Sequence, residues 1–479
     1  MRLLPFVDLP NHLAEATVFK YANESNLLGQ YYESVPAFYP NTFHTVFCSL
    51  FPSVEVGNKV FFVLYVFMLL FSVYLVIKEL KGNTWYGVLA TMFIYNFNTT
   101  FGFVGFIIAI PATLYLFYLA LCDSRRPNFF YTICAAALLI ILYLMHAQVA
   151  LFAMAIYALT MLYGFWKRWS SLLFKLIVAI VPVLIMVIIW WSHRAAQEQE
   201  QSTLSYLLSY YKNKYIPEFY LRFKIAIYDH QALREGKLLP LLLNLAVIAP
   251  LIYFKVWKFF PKDWKKQRQY FLPLLVFVAC FASYMLLPNY FPGQGPIHER
   301  QVTLVYLSMI ILGSVLMKDV SLKFLRPYVI GLSLIYTLLW AEHFYTFNKN
   351  NKEFTPHLLA GLPPDKKLAG LIYDFNYRGH YIYVHFPNYH IVWNKALAAT
   401  KMIDYRFGVV RRGEKGGEIP YYHDMIGGKY YKVATAYPDS IHYILQHGKP
   451  PVVNDSNTVY LQKIREAGNW TLLKNPRLN

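Results

Sequence analysis

Ten apolar stretches recur through the first 343 residues, near 59–77, 84–99, 101–121, 129–145, 147–166, 172–191, 238–256, 270–287, 301–317 and 325–343. Each approaches the roughly 20 residues that a helix needs to cross a bilayer. A single soluble core cannot absorb that many greasy helices, and with 57 % hydrophobic residues the chain lies above the usual soluble composition. The pattern predicts a mainly α fold, a polytopic helical membrane bundle of about ten spans over 59–343. Its tightest joints are Asn96-Phe97-Asn98-Thr99-Thr100, between the second and third stretches, and His146, between the fourth and fifth.

Basic residues fall in alternate gaps: Lys78 and Lys81, Arg125 and Arg126, Lys167 and Arg168, the run Lys255, Lys258, Lys262, Lys265, Lys266 and Arg268, and Lys318, Lys323 and Arg326. The positive-inside rule assigns these to the cytoplasm. The opposite gaps, the leader 1–58, a long loop at 193–236 and the segment 344–479 are then outside, and chemistry is expected on that face. An outward leader of this length must be carried across, so the sequence predicts either a further apolar helix ahead of it or translocation by the first span itself. The formal net charge of +19 is accounted for by this topological signal and a mixed-charge tail. No Lys/Arg stripe with a recognisable fold points to nucleic acid; membrane lipids and phosphate-bearing ligands are the expected partners. Four cysteines, Cys48, Cys122, Cys134 and Cys280, define neither a disulfide framework nor a zinc site.

The leader has a helix-like run from Leu13 to Leu28, with Pro10 suited to a first helical turn, where no amide proton is needed. In the outer loop, Tyr215–Lys224 reads as an amphipathic interfacial helix, Tyr and Phe on one side, Arg and Lys on the other. The segment 344–479 loses the apolar runs and gains β-like alternation, as in His380-Tyr381-Ile382-Tyr383-Val384-His385-Phe386, and turns at Arg412-Gly413, Gly416-Gly417 and Gly427-Gly428. A small α/β or α+β extracytoplasmic domain is expected there.

Asp8 leads the candidate site residues. A carboxylate held by flanking prolines in an outer loop can deprotonate an acceptor hydroxyl; it can equally cap the helix opening near Pro10. His12 and Glu15 follow at helical spacing and could join Asp8 as a second acid, as orienting groups or as ligands of a divalent cation. The Gly/Pro-rich gap ending His298-Glu299-Arg300 opens the ninth span. There Arg300 needs either an anion, for which a phosphate suits its planar fork, or an internal partner. His146 is a catalytic base or a hydrogen-bonded turn residue. His193, Arg194 and Asp229 are candidates to line an outer cavity, with Glu218 and Glu235 as further carboxylates. The 18 % of aromatic residues suits sugar stacking, although belts at both membrane interfaces account for most of it.

The leader, with Asp8-x-Pro10-x-His12 and then Tyr32-x-x-x-Pro36-x-x-Tyr39-Pro40, resembles the first outer loop of the GT-C superfamily of polytopic glycosyltransferases. That superfamily includes polyprenyl-phosphate-sugar-dependent mannosyl- and aminoarabinose transferases. Gly102-Phe103-Val104-Gly105-Phe106, His146, Glu299-Arg300, Tyr443-Ile444-Leu445 and Ala467-Gly468-Asn469-Trp470-Thr471-Leu472-Leu473 are similar too. The resemblance implies a multi-pass protein of the plasma (inner) membrane. It would transfer a sugar from a polyprenyl-phosphate carrier to a glycan, lipid or protein acceptor outside, by direct displacement with inversion. The first-loop aspartate, here Asp8, would be the base, and Arg300 with Glu299 and His298 would meet the carrier phosphate. Many members carry a second acid beside that aspartate; here Leu9 follows Asp8, so Glu15 must substitute or Asp8 acts alone. A lipid-linked saccharide transporter and a non-catalytic envelope assembly subunit are the rival readings.

Overall fold

The computed structural model describes residues 2–22, 26–34, 38–195, 203–229, 238–254, 264–290, 295–399, 409–419, 440–449 and 461–478. The leader forms α1 (Leu9–Tyr21), α2 (Asn26–Tyr31), β1 (Tyr32–Ser34) and α3 (Phe43–Ser49). The apolar part runs through α4 (Val54–Glu79), α5 (Thr84–Gly87) with a 3₁₀ turn at Val88–Phe93, α6 (Phe97–Phe101), α7 (Val104–Arg125), α8 (Phe129–Met145), α9 (Ala147–Phe165) and α10 (Trp169–Ala195). It continues through α11 (Thr203–Asn213), α12 (Tyr215–Lys224), α13 (Leu238–Tyr253), α14 (Trp264–Leu286), α15 (His298–Leu316) and α16 (Leu322–Asn350). The tail adds α17 (Pro356–Leu359), β2 (Leu368–Ile372), a 3₁₀ helix at Ile382–Asn388, α18 (Tyr389–Asn394), β3 (Val410–Arg412), β4 (Tyr443–His447), β5 (Gln462–Ala467) and β6 (Trp470–Lys474).

The chain divides into two compact units. One gathers Met1–Phe62, Thr100–Val104 and Ala341–Asn479. In it, β2, β4, β6 and β5 form a sheet in that order, with β2 parallel to β4 and the other pairs antiparallel. Ala369, Leu371, Ala399, Ile441 and Ile444 fill its small core, and Trp470 stacks on Phe386 at 5.2 Å beside Phe354 and Tyr383. The leader is tied to the tail by antiparallel pairing of β1 with β3. The alternation expected at 380–386 is not a strand. Pro387 lacks the amide proton a ladder needs, and Ile382–Asn388 winds into a 3₁₀ helix.

The other unit is Val63–Thr99 with Gly105–Trp340. Among the described residues six helices, counting those that begin or end in the first unit, are long and apolar enough to cross a membrane. They are Val54–Glu79, Val104–Arg125, Ala147–Phe165, Trp169–Trp190, His298–Leu316 and Leu322–Asn350. Phe129–Met145, Leu238–Tyr253 and Tyr270–Leu286 are shorter apolar helices. The most apolar window of α7 is 83 % buried, whereas those of α10 and α16 are 22 % buried. The first is thus a central helix, and the other two turn Ile177, Ile185, Ile188, Leu334 and Leu338 outward. Water would not tolerate such faces, and hydrocarbon does; the chain is an integral membrane protein. Among the described residues the one fully buried carboxylate outside the first unit, Asp123, accepts from Lys175 Nζ at 2.8 Å to both oxygens, from Thr132 and from the Asn128 amide, which satisfies the charge in place.

The second expected span, 84–99, is not a continuous helix. Asn96 Nδ2 donates to Phe93 O, Asn96 Oδ1 accepts from the Asn98 amide, and Thr99 Oγ1 bonds the Asn96 amide and carbonyl. These side chains take the backbone groups that helix continuation would use. The segment nonetheless runs the length of α15. Asn83 bonds Ser314 O and Met317 O, Phe93 stacks on Tyr306, and Asn98 Nδ2 donates to Thr303 Oγ1 and Arg300 O.

Candidate functional site

In the first unit the chain before α1 lies against 100–102: the Val7 amide donates to Thr100 O and the Asp8 amide to Phe101 O. Gly102 permits this approach. Its φ is +79°, and a Cβ there would stand 3.0 Å from Leu9 N and 3.1 Å from Asp8 N. Asp8 occupies the N-cap position of α1, with Pro10 in the first turn, but its side chain makes no capping bond. Its Oδ1 lies instead 3.2 Å from His385 Nε2. One turn further on, Asn388 Nδ2 donates to Asn11 Oδ1, both residues buried. The 3₁₀ geometry explains the match. With three residues per turn His385 and Asn388 eclipse each other, and Asp8 and Asn11 are likewise neighbours along α1.

His12 and Glu15 turn elsewhere. His12 Nδ1 is 3.8 Å from Glu15, and its ring meets that of His44 edge-on at 5.7 Å. His44 is buried, with Nε2 3.0 Å from Asn58 Oδ1 and 3.4 Å from Cys48 Sγ. Burial, and after it the His12 charge, push the His44 imidazole down to about 3, so it stays neutral. The cation site considered for Asp8, His12 and Glu15 is not formed: among the described residues no group of three or more His, Cys, Asp or Glu side chains is arranged to hold a metal ion.

In the second unit α15 starts after Gly295-Pro296, with Glu299 in the first turn, where the helix dipole favours a carboxylate. Arg300 folds back over that loop, donating through Nε to Pro296 O at 2.7 Å and through Nη2 to Gly295 O at 3.0 Å. Nη1 lies 3.3 Å from His146 Nε2. A guanidinium has only donors, so that ring nitrogen must present its lone pair. Burial, then the Arg300 charge, disfavour the imidazolium. His146 is therefore a neutral acceptor committed to Arg300. His298 takes another direction, as a residue two positions away on a helix must. It is buried against the Tyr284 ring, with neither ring nitrogen hydrogen-bonded among the described residues. Tyr284 in turn holds Arg222, whose Nη1 donates to Tyr284 O and whose Nη2 donates to Tyr210 OH. The carrier-phosphate candidates thus split: Arg300 joins His146, and His298 joins Tyr284.

The amphipathic α12 forms as expected, with Lys224 exposed, but its two cations part company. Arg222 is fully buried, while Ile216, Phe219, Tyr220 and Phe223 are exposed. Glu218 accepts from Tyr210 OH. His193 and Arg194 fall in the last turn of α10 and Asp229 ends the π-helical Ile225–Asp229; their side chains, and Glu235, lie outside the described residues.

No family model matches the chain, and no curated protein matches it. Among solved structures it is similar to ArnT from Cupriavidus metallidurans bound to undecaprenyl phosphate, with a TM-score of 0.54 at 12 % identity, over 97 % of this chain and 92 % of that one. The chain has an ArnT-like fold. The likeness extends over the leader, the spans and the small C-terminal sheet. His385, Asn388 and Arg222 escaped the sequence reading. His385 stood inside a run taken for a strand, Asn388 just beyond that run, and Arg222 on the side taken for the polar face of an interfacial helix. Pro387 was the available signal against the strand.

Proposed function

We propose that this protein is an inverting glycosyltransferase that moves a sugar from a polyprenyl-phosphate carrier to an acceptor on the outer face of the plasma membrane. The observation that carries the reading is at Asp8. A residue at the mouth of a proline-started helix would ordinarily cap it, yet this carboxylate leaves the cap and is held, partly solvent-exposed, beside His385. Such a carboxylate can take the proton of an acceptor hydroxyl. The fold supports the same reading, since the similar ArnT structure is bound to undecaprenyl phosphate. Pairing of β1 with β3 supports one side of the membrane for leader and tail, which the positive-inside count makes the outer side.

Arg300 is proposed to receive the carrier phosphate in a charge-assisted contact, its fork fixed by the loop carbonyls and His146. Glu15 and His12, paired with each other, are proposed to tune the surroundings of the base rather than to bind a cation. The acceptor is a glycan, lipid or protein. The test is transfer by detergent-purified protein from a panel of polyprenyl-phosphate monosaccharides into a membrane lipid and glycan extract. Labelled product is expected with at least one donor. Donor sugar that stays on its carrier across the panel would favour an assembly subunit, and donor moved across a vesicle bilayer without transfer would favour a transporter.

A further inference from the structure

The Asp8–His385 contact joins a substrate-facing group to a shielded one. The side chain of His385 is 4 % exposed and that of Asp8 20 %. An acceptor can therefore reach the carboxylate but not the ring. The ring sits on a short 3₁₀ helix that leads directly into α18, and both elements pack on α1. The buried Asn388–Asn11 bond one turn away fixes the register between the two elements. A slide along α1 would leave two buried amide side chains mispaired, which is costly in a dry interface. The polar rungs thus hold one carboxylate oxygen at one imidazole nitrogen.

We propose that His385 is a positioning residue for Asp8: its Nε2–H donates to Oδ1 and fixes the carboxylate plane, so that Oδ2 is the oxygen turned to the acceptor. This rests on the reading of Asp8 as the base. In the transfer step the acceptor O–H proton goes to Oδ2 and the acceptor oxygen bonds the anomeric carbon. The bond from that carbon to the carrier phosphate oxygen breaks, with its electron pair leaving on the phosphate. His385 keeps its own proton throughout. Its contribution is orientation, together with a lower carboxylate pKa, because a hydrogen bond to the ionised form favours that form. Other titratable and charged groups on the elements packed here include, among the described residues, His12, Glu15 and Lys20 further along α1, Arg411 and Arg412 on β3, His44 on α3, held neutral by burial, and His390 on α18, pushed down to about 4 by burial.

The experiment compares the unmodified protein, His385→Leu, His385→Gln and Asp8→Asn in the transfer assay, with the donor that works best, measuring kcat, donor KM and the acid limb of the pH–rate profile. All four are checked for monodispersity. In His385→Leu, kcat should fall about 10- to 100-fold with donor KM within roughly twofold, as expected when orientation rather than binding is lost. Its acid limb should move up by about one pH unit, because the carboxylate loses a hydrogen bond. His385→Gln can present an amide N–H to the same oxygen and should restore most of the rate and the limb. The inference falls alone if Asp8→Asn abolishes transfer while His385→Leu keeps the normal rate and limb. It falls likewise if Leu and Gln lower the rate equally with the limb unmoved, which is the mark of a structural role. Transfer that survives Asp8→Asn, or that is absent from the unmodified protein, overturns the base reading and this inference with it.

Discussion

Asp8 and Arg300 are both ionised residues at the start of a helix, and the chain holds them in different ways. Arg300 closes on carbonyls four and five residues back and on His146, whereas Asp8 meets a ring from the far end of the sequence. The reason lies in the groups themselves. A guanidinium only donates, and any loop supplies carbonyls to receive it; a carboxylate only accepts, and carbonyls are useless to it. It can take helix-end amides, as a cap does, or a side-chain donor brought from elsewhere. That Asp8 has the side-chain donor and no capping bond makes its environment the more specialised of the two.

The largest effect that would sharpen this contrast concerns a cation that has no loop carbonyls beneath it. Arg222 is wholly buried and donates to Tyr284 O and Tyr210 OH. Arg222→Ala should cost about 3 kcal/mol or more, since buried acceptors lose a charged donor. Thermal unfolding in detergent measures it, and a change under about 0.5 kcal/mol, the usual range for surface positions, would show that the helix is not pinned there.

Next in size is a pH effect confined to the Asp8 unit. His44 is held near 3 when folded and returns to its ordinary value near 6.5 when unfolded. Between those values the unfolded chain binds the extra proton, so stability is full above about pH 6.5 and is lost as pH falls. At pH 5 the loss approaches about 2 kcal/mol, and His44→Asn should flatten this part of the pH dependence. An unchanged acid slope would mean that another group carries it.

Smaller again is Gly102→Ala. The left-handed backbone and the contact with the Asp8 amide should cost about 1–2 kcal/mol, with transfer falling more than stability alone explains; the equivalent measure is turnover of the folded fraction. Arg300→Lys keeps the charge and loses the fork, so apparent carrier affinity should drop about tenfold. Equal affinity in Arg300→Lys and Arg300→Ala would remove Arg300 from carrier binding and erase the contrast with Asp8.

Legibility in the sequence follows the same division. Hydropathy placed the helical spans because a bilayer demands length and apolarity that few other structures require. The break at Asn96–Thr99 was visible only as a polar joint, since its side-chain bonds to the backbone depend on a local geometry that hydropathy ignores. Asp8 and Arg300 stood out as charged residues at helix openings. His146, the partner of Arg300, stood out as well, but His385, the partner of Asp8, did not, because a histidine in a run of alternating aromatics looks the same on a strand as on a 3₁₀ helix. The burial of Arg222 escaped for a related reason: a sequence pattern shows that a helix has two faces but not which of its cations finds buried acceptors.

The measurement that bears most directly on the role of Asp8 is turnover and stability of Asp8→Asn, taken together on the same purified protein. Asparagine caps a helix about as well as aspartate and keeps a similar shape, but it cannot accept a proton from an acceptor hydroxyl. A base at this position requires sugar transfer to fall by about 100-fold or more, with the unfolding midpoint nearly unchanged. Transfer at the normal rate would contradict it and return Asp8 to the structure of the leader.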